Sequence, residues 1–157
     1  MRILPPHLFY ASLALTGASL LLQTGRGTIP QPYGIGLAMQ KQGKTDQAFE
    51  SFVAAKSADG GKTEISPKSQ FMIGEMHFQR REFDDALAAF KRVCQCHANA
   101  EWSSRALYEA AKAQKELKRW KEAAETYEHL IREFPRTPQS REAKEDLKKI
   151  LEKAKAP

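Results

Sequence analysis

The clearest feature of the sequence is an order of hydrophobic and polar residues that occurs twice. An aromatic residue is followed by an alanine three positions later and by a second aromatic residue four positions after that alanine. The pattern occupies residues 80–93 (RREFDDALAAFKRV) and residues 117–130 (LKRWKEAAETYEHL). Residues spaced by three, four and seven lie on one face of an α-helix. Each segment therefore predicts an amphipathic helix.

A third copy becomes visible when the small residue 12 positions before each alanine is added to the pattern. The anchors then recur at intervals of 38 and 37 residues. They are Gly36, Ala48 and Phe52; Gly74, Ala86 and Phe90; and Ala111, Ala123 and Tyr127. A period of this length is typical of stacked helical hairpins. We expect the small residue of each first helix to face the alanine of the second helix at close range.

Helix boundaries predicted from capping residues agree with this period. Ser66 before Pro67, Asn99 and Thr137 before Pro138 are predicted to cap the starts of helices. Turns within the hairpins are expected at Gly43, at 79–82 (QRRE) and at 117–119 (LKR), and a polar loop is expected at 57–66. We expect the aromatic residues of the second helices to fill the groove to the next unit. These residues are Phe83, Phe90, Trp120 and Tyr127.

The pattern resembles the tetratricopeptide repeat, a helix-turn-helix unit of 34 residues, over residues 32–138. The resemblance lies in PYGIGLAMQKQGKTDQAFESF, SQFMIGEMHFQRREFDDALAAF and RALYEAAKAQKELKRWKEAAETY, with FPRTP closing the third copy. It implies an all-α, right-handed superhelix of three units at about 32–58, 67–97 and 100–136 within a domain that spans 32–157. A capping helix is predicted at 138–154. Its apolar face is Ala143, Leu147, Ile150, Leu151 and Ala154.

In such a superhelix the first helices line the concave side, where an extended peptide or a partner helix binds. We expect the residues one turn on either side of each small anchor to point inward. They are Tyr33, Leu37 and Gln40; Phe71, Glu75 and Phe78; and Tyr108, Lys112 and Lys115. Aromatic residues provide much of the energy at such contacts. The alternative is that the recurring rings of Tyr33, Phe71 and Tyr108 pack between neighbouring first helices.

The stretched period and the ending LIREFPRTPQSREAKEDLKKILEKAK are also similar to a narrower group of bacterial envelope proteins. These are the periplasmic Tol-Pal coordinator family and the outer-membrane β-barrel assembly lipoprotein. The resemblance implies a scaffold that coordinates cell-wall or outer-membrane processes through partner proteins.

The first residues differ in character from the rest of the chain. One arginine precedes an uncharged apolar run from about Leu8 to Leu22, which is typical of a signal peptide or a short membrane anchor within 1–24. Residues 25–31 are predicted to be a linker. This segment favours the periplasm or cell envelope, with membrane association through residues 8–22 as one outcome. The alternative is an extra apolar helix on a cytoplasmic adaptor.

Composition and motifs argue against chemistry in this chain. The net charge of +6 arises from 25 basic and 19 acidic residues whose signs alternate along helices, so a nucleic-acid partner is not expected. Cys94 and Cys96 lack the spacing of a haem or zinc motif, and the four histidines lie in separate segments. His77 is expected to be a core or groove-edge residue. We predict no catalytic activity, no cofactor, no metal and no small-molecule substrate.

The most favoured function from sequence is therefore a scaffold that binds a protein or peptide partner. A different possibility is that the chain is a piece of a longer repeat array, which self-associates through an uncovered first repeat.

Overall fold

The computed structural model describes residues 32–59, 65–96 and 99–155 of the 157 residues. The predicted leader at 1–24 and the linker at 25–31 lie outside the described residues. Within the described part, all regular structure is helical and strands are absent. The prediction of an all-α fold is confirmed. None of the described helices is long and apolar enough to cross a membrane.

In the part of the chain that the structure describes, seven helices follow one another in the order expected for stacked hairpins. They are α1 (Pro32–Lys41), α2 (Thr45–Asp59), α3 (Ile65–Gln79), α4 (Phe83–Cys96), α5 (Ala100–Glu116), α6 (Trp120–Glu133) and α7 (Pro138–Lys155). Each helix packs against its neighbours in sequence, so α1–α2, α3–α4 and α5–α6 are hairpins. The last helix, α7, packs on α6 and also touches α5.

Every hairpin is held together by an aromatic residue of the second helix. Its ring packs against a small residue and an aromatic ring of the first helix, in an arrangement that we call the aromatic wedge. The three ring pairs have centroid separations of 5.7, 5.4 and 5.8 Å and interplanar angles of 54°, 51° and 48°. The pairs are Tyr33–Phe52, Phe71–Phe90 and Tyr108–Tyr127.

The wedge explains why the first anchor must be small. A Cβ atom at Gly36 would lie 2.7 Å from the Phe52 ring, and one at Gly74 would lie 2.6 Å from the Phe90 ring. The closest group to each glycine is therefore a ring, which corrects the expectation that the alanine of the second helix faces it. The anchor alanines are nonetheless fully buried, as predicted for residues at a close helix contact. These are Ala48, Ala86 and Ala123.

The three hairpin turns share one backbone geometry. Gly43, Arg81 and Lys118 have φ angles of 73°, 64° and 59°, in the left-handed region. Each donates its N–H to the carbonyl three residues earlier, and the next N–H reaches back five residues, at 2.8–3.0 Å. This is the Schellman motif that ends many helices. Glycine adopts this conformation without cost, whereas Arg81 and Lys118 adopt it with backbone strain.

Contacts between neighbouring hairpins combine rings and ion pairs. The Phe71 ring meets Trp102 of the next hairpin at 5.5 Å, and Phe49 meets His77 at 5.2 Å, each edge to face. At the turns, Arg80 pairs with Asp46 of the preceding hairpin at 2.5 Å, and Arg119 pairs with Asp84 at 3.0 Å. An arginine–aspartate ion pair therefore connects the turns of successive hairpins.

Two of the three predicted helix caps are confirmed. The Asn99 side chain accepts hydrogen bonds from the N–H groups of Glu101 and Trp102 at 3.0 and 3.2 Å, and the Thr137 hydroxyl accepts from Ser140 N–H at 3.3 Å. Ser66 is not a cap, because α3 already begins at Ile65. The loop predicted at 57–66 is also shorter, since α2 runs to Asp59 and only 60–64 lie between the described helices.

The ends of the array depart from the predicted pattern of burial. Trp120 was expected to fill a groove between units, but it is 41% exposed at the start of α6. On α7, Ala143 and Ile150 are buried and Leu147 packs against the same cluster, as expected. Leu151 is 46% exposed and does not belong to that face, because no further helix covers it among the described residues.

The helix α7 repeats the register of a first helix. Ser140 and Ala143 stand 37 residues after Ser103 and Ala106, and all four are buried. The position 37 residues after the small anchor Ala111, however, is occupied by the exposed Lys148. We conclude that α7 covers the third hairpin in the manner of a fourth first helix.

We expect Gly74→Val to destabilise the domain by about 2–3 kcal/mol, because the Phe90 ring is fully buried and a side chain at this position overpacks the wedge. The control is Gly34→Val, since nothing lies within 4 Å of a Cβ atom at Gly34. That variant should change the free energy of unfolding by less than about 0.5 kcal/mol. Urea unfolding followed by circular dichroism measures both, and equal effects would contradict the wedge.

Candidate functional site

The nine residues predicted to bind a partner all lie on α1, α3 and α5, the first helices of the hairpins. The structure separates them into residues of an accessible face and residues that support the fold. We call the accessible side the inner face. It is defined by Leu37, Met72, Glu75, Arg105, Glu109 and Lys112, all of which are half-buried.

One end of the inner face is apolar. Tyr33, Leu37 and Met72 are half-buried and pack against the core cluster around Phe52. Burial raises the pKa of the Tyr33 hydroxyl, with smaller effects from Lys68, Glu75 and Arg105. Because these charges act on the Tyr33 hydroxyl, the apolar end adjoins the charged residues of the next two hairpins.

The middle of the inner face is charged. Lys112 pairs with Glu109 at 2.7 Å, and its Nζ lies 5.5 Å from the centre of the Phe78 ring and 5.6 Å from that of Tyr108. Burial raises the pKa of the Glu75 carboxyl, and the nearby Glu109 raises it further, against the opposing effects of Lys112 and Arg105. Two acids and two bases therefore share this region.

Phe71 is a core residue rather than a contact for a partner. It is 7% exposed, and its ring lies between Phe90 and Trp102. For this residue the alternative of packing between neighbouring helices is correct. Tyr33 and Tyr108 also form wedges, but both remain half-buried. The expected row of three accessible rings is thus reduced to two.

Lys115 is engaged by the capping helix. Its Nζ lies 3.0 Å from Asp146 Oδ2, and the Tyr127 hydroxyl donates to the same oxygen at 3.1 Å. Lys149 binds the other Asp146 oxygen at 3.2 Å. Burial raises the pKa of the Asp146 carboxyl, but the hydrogen bonds from Lys115, Lys149 and Tyr127 outweigh burial and lower it overall. Lys115 therefore anchors α7 rather than offering a free charge.

The sequence contains one signal for this anchor. Tyr127 stands where the other wedges have Phe52 and Phe90. A buried tyrosine hydroxyl requires a hydrogen-bond partner, which Asp146 provides. Of the remaining predicted residues, Gln40 is half-buried at the end of α1, and Phe78 meets Phe83 edge to face at 5.2 Å.

The outer side of the array carries a groove between α4, α5 and α6. Leu107, Ala110 and Cys94 are among the residues that line it, and the Thr126 hydroxyl donates to Gln114 Oε1 there at 2.8 Å. Burial raises the pKa of the Cys94 thiol to about 11, and this thiol donates to the Ser103 carbonyl at 3.7 Å. Cys94 is therefore protonated at neutral pH and is not a reactive thiol.

His77 lies at the end of α3, half-buried as expected for a groove-edge residue. Its Nδ1 lies 2.6 Å from Glu82 Oε2, and Asp85 brings a third potential ligand atom within 4.8 Å of both. The hydrogen bond to Glu82 and the contact with Phe49 account for the position of the ring. We interpret His77 and Glu82 as part of the contact between the first and second hairpins, which Phe49 completes.

Comparison with known proteins identifies the repeat. Residues 105–137, which cover most of α5 and all of α6, match the family model described as tetratricopeptide repeat. No curated protein matches the sequence. The sequence-based recognition of this repeat is thus confirmed for the third hairpin.

Several solved structures share the fold. The first TPR of Spaghetti (RPAP3), bound to the HSP90 peptide SRMEEVD, has a TM-score of 0.65 and 20% identity, covering 80% of this chain and 91% of that chain. The Arabidopsis OM64 TPR domain has a TM-score of 0.61 and 18% identity, covering 75% and 92%. The second TPR domain of human RPAP3, in complex with the HSP70 peptide SGPTIEEVD, has a TM-score of 0.60 and 20% identity, covering 76% and 92%. At these identities the similarity establishes the superhelical fold alone.

We expect Asp146→Asn to lower the free energy of unfolding at neutral pH by about 1–2 kcal/mol, because charge-assisted hydrogen bonds are lost. The pKa of Asp146 is lower in the folded protein than its ordinary value of 3.8. Its stabilising effect is therefore complete above that value and is lost as the pH falls through the folded pKa. Urea unfolding over a pH series should show the difference between the two proteins closing as the pH falls below 3.8 and on through the folded pKa.

The exposed neighbour Glu145 provides the matched control for this experiment. Glu145→Gln should leave stability unchanged at neutral pH. A difference between wild type and Asp146→Asn that stays constant with pH would contradict the anchoring role of the Asp146 charge.

Proposed function

With the tetratricopeptide fold as its framework, we propose that this protein is a non-catalytic scaffold that binds an extended peptide or a partner helix on its inner face. The observation that carries the proposal is the joining of an apolar end, Leu37 and Met72, to a charged centre. That centre contains Glu75, Arg105, Glu109 and Lys112. Apolar contact and charge pairing are the two elements that peptide grooves combine.

The wedges give this face the rigidity that recognition requires. Each first helix is fixed to its partner by a buried ring, so the groove-facing residues are held in place before binding. A preformed groove avoids the entropic cost of ordering its own side chains. We propose that Leu37 and Met72 accept an apolar residue of the ligand, while Arg105 and Lys112 contact its backbone or acidic groups.

The chemistry of the charged centre argues against an acidic peptide tail as the ligand. Two of the three solved structures above contain chaperone peptides that end in EEVD. In this protein Glu75 and Glu109 lie beside Lys112 and Arg105, and Glu109 is already paired with Lys112. A terminal carboxylate would approach two acids as well as two bases. We therefore propose a ligand of mixed or neutral charge.

We propose that the scaffold acts in the periplasm or cell envelope of a bacterium. The charged start, the apolar run at 8–22 and the similarity of the PRTP step at 135–138 to the Tol-Pal coordinator family support this location. The same similarity supports a role in coordinating wall or outer-membrane processes. A cytoplasmic adaptor and a self-associating piece of a longer array remain the competing hypotheses.

Export predicts that the mature protein in the periplasmic fraction lacks the first residues. Expression of the full chain in a Gram-negative host, followed by fractionation and mass spectrometry of the amino terminus, tests this. Replacing Leu13 and Leu15 with arginine in the apolar run should block processing. An unprocessed chain in the cytoplasm would favour the adaptor hypothesis, and light scattering that gives a concentration-dependent mass would favour self-association.

For the inner face we expect Leu37→Ser to weaken binding of peptides selected from a displayed random library by about tenfold. Ile35→Ser is the matched control, because Ile35 lies on the same helix, is 36% exposed and does not belong to the inner face. Fluorescence anisotropy with the selected peptides measures the affinity, and circular dichroism monitors the fold. Equal affinities for the two variants would contradict the assignment. Alanine at Tyr33, Phe71 or Tyr108 is unsuitable, because these rings hold the hairpins together.

A further inference from the structure

The hairpin turns form a continuous edge of the array. Because each hairpin packs on the next, residues 41–45, 80–83 and 117–121 lie at the same end of the stacked helices. The ion pairs Arg80–Asp46 and Arg119–Asp84 connect successive turns directly. We call these three segments the turn edge. It is separate from the inner face, which runs along the sides of the first helices.

Basic residues project from all three turns. Lys41, Lys44, Arg81, Lys118 and Lys121 are exposed, and none of them forms an ion pair with the residues that the structure describes.

Half of the acids at the edge are engaged. Asp46 and Asp84 pair with arginines of the neighbouring turns, and Glu82 lies against His77. Asp85, Glu116 and Glu122 flank the edge. With histidine counted as neutral, the five unpaired basic residues face four acids, which is an excess of one positive charge. The edge therefore presents exposed basic side chains with a small positive excess.

The backbone places two of these cations at the extreme tips. Arg81 and Lys118 occupy the left-handed position of the Schellman turn, where the first hairpin has Gly43. That conformation favours glycine, so two hairpins keep a long basic side chain at a position where it is conformationally unfavourable. Strain of this kind is found where a residue serves another purpose.

An exposed aromatic ring completes the surface. Trp120, at the first position of α6, is 41% exposed and follows Lys118 and Arg119 directly, with Lys121 after it. In the second turn, the Arg81 guanidinium lies over the Phe83 ring at 6.0 Å. Tryptophan and basic residues side by side are typical of protein surfaces that contact the headgroup region of a membrane.

From this combination we infer that the turn edge docks on a bilayer that contains anionic phospholipid. The diffuse negative potential of such a surface attracts the separated basic tips and tolerates the four acids near them that have no basic partner. The stems of the lysines lie along the headgroups while Trp120 inserts its ring at that depth. Docking by the turns leaves the inner face open along its length, so partner binding and membrane contact are compatible.

The test is cosedimentation of the full chain with two vesicle preparations, pure phosphatidylcholine and an equimolar mixture of phosphatidylcholine with phosphatidylglycerol. The quantity of interest is the gain in partition caused by phosphatidylglycerol, because any contribution of the apolar run at 8–22 is common to both preparations. The test variant is Arg81→Gln with Lys118→Gln and Lys121→Gln. The matched control is Arg92→Gln with Lys144→Gln and Lys148→Gln, which removes the same charge from exposed positions away from the turn edge.

We expect the gain in partition caused by phosphatidylglycerol to be at least about tenfold smaller for the triple turn variant than for the wild type. Each basic residue near an anionic surface increases binding about fivefold. The control variant should retain this gain, and a higher salt concentration should reduce the gain of the wild type because salt screens the charges. Trp120 fluorescence should shift to the blue on mixed vesicles, and the Trp120→Phe variant identifies that signal against the buried Trp102.

Equal losses in the test and control variants would overturn the proposal, because net charge alone would then explain binding. Absence of any phosphatidylglycerol-dependent gain would overturn it as well. Binding of a single-stranded oligonucleotide that depends on the same three residues, without a gain on vesicles, would reassign the edge to nucleic acid. None of these results depends on whether the inner face binds a peptide.

Discussion

The aromatic wedge is the interaction on which the rest of the structure depends. In each hairpin a ring of the second helix closes against a small residue and a ring of the first helix, and the two buried phenylalanines, Phe52 and Phe90, leave no room for a Cβ atom at the glycine opposite. This contact sets the distance between the two helices. Because it recurs at nearly constant spacing, it also repeats the orientation of one hairpin relative to the next, and a superhelix follows. The inner face and the turn edge are both consequences of that repetition.

The third wedge has a tyrosine where the other two have a phenylalanine on the second helix, and the hydroxyl of this tyrosine ties the domain together. The hydroxyl of Tyr127 binds Asp146 on α7, and Asp146 also holds Lys115 on α5. The cap is therefore attached through the wedge itself, in addition to the apolar packing of its Ala143 and Ile150 in one cluster with Leu130. Burial raises the pKa of the Tyr108 hydroxyl to about 12, with a smaller contribution from Asp146. The carboxylate thus lies at the point where the third hairpin, the inner face and the cap meet.

Much of the fold was predictable because it depends on local sequence features that recur in each hairpin. The period gave the number of hairpins, and side chains such as Asn99 and Thr137 marked helix starts that the structure confirms. The burial of individual rings was not predictable from the period. Phe71 and Tyr33 occupy equivalent positions, yet among the residues that the structure describes only Phe71 has a hairpin on either side, and it is buried. Likewise, Lys115 binds Asp146, which lies 31 positions away in the sequence. The repeat pattern could not predict this contact, because it identifies equivalent positions and not spatial neighbours. The candidate site was therefore predicted as a surface, but not as a set of available side chains.

Lys148 has a consequence for how such an array can grow. It stands in α7 at the place where the second and third hairpins have Gly74 and Ala111, and no ring can close against its long charged side chain. A duplicated hairpin added after α7 could not form a wedge with this helix and would have to fold as a separate domain. Gene duplication can therefore lengthen the array only by insertion upstream of Lys148, because this single residue ends the series of wedges.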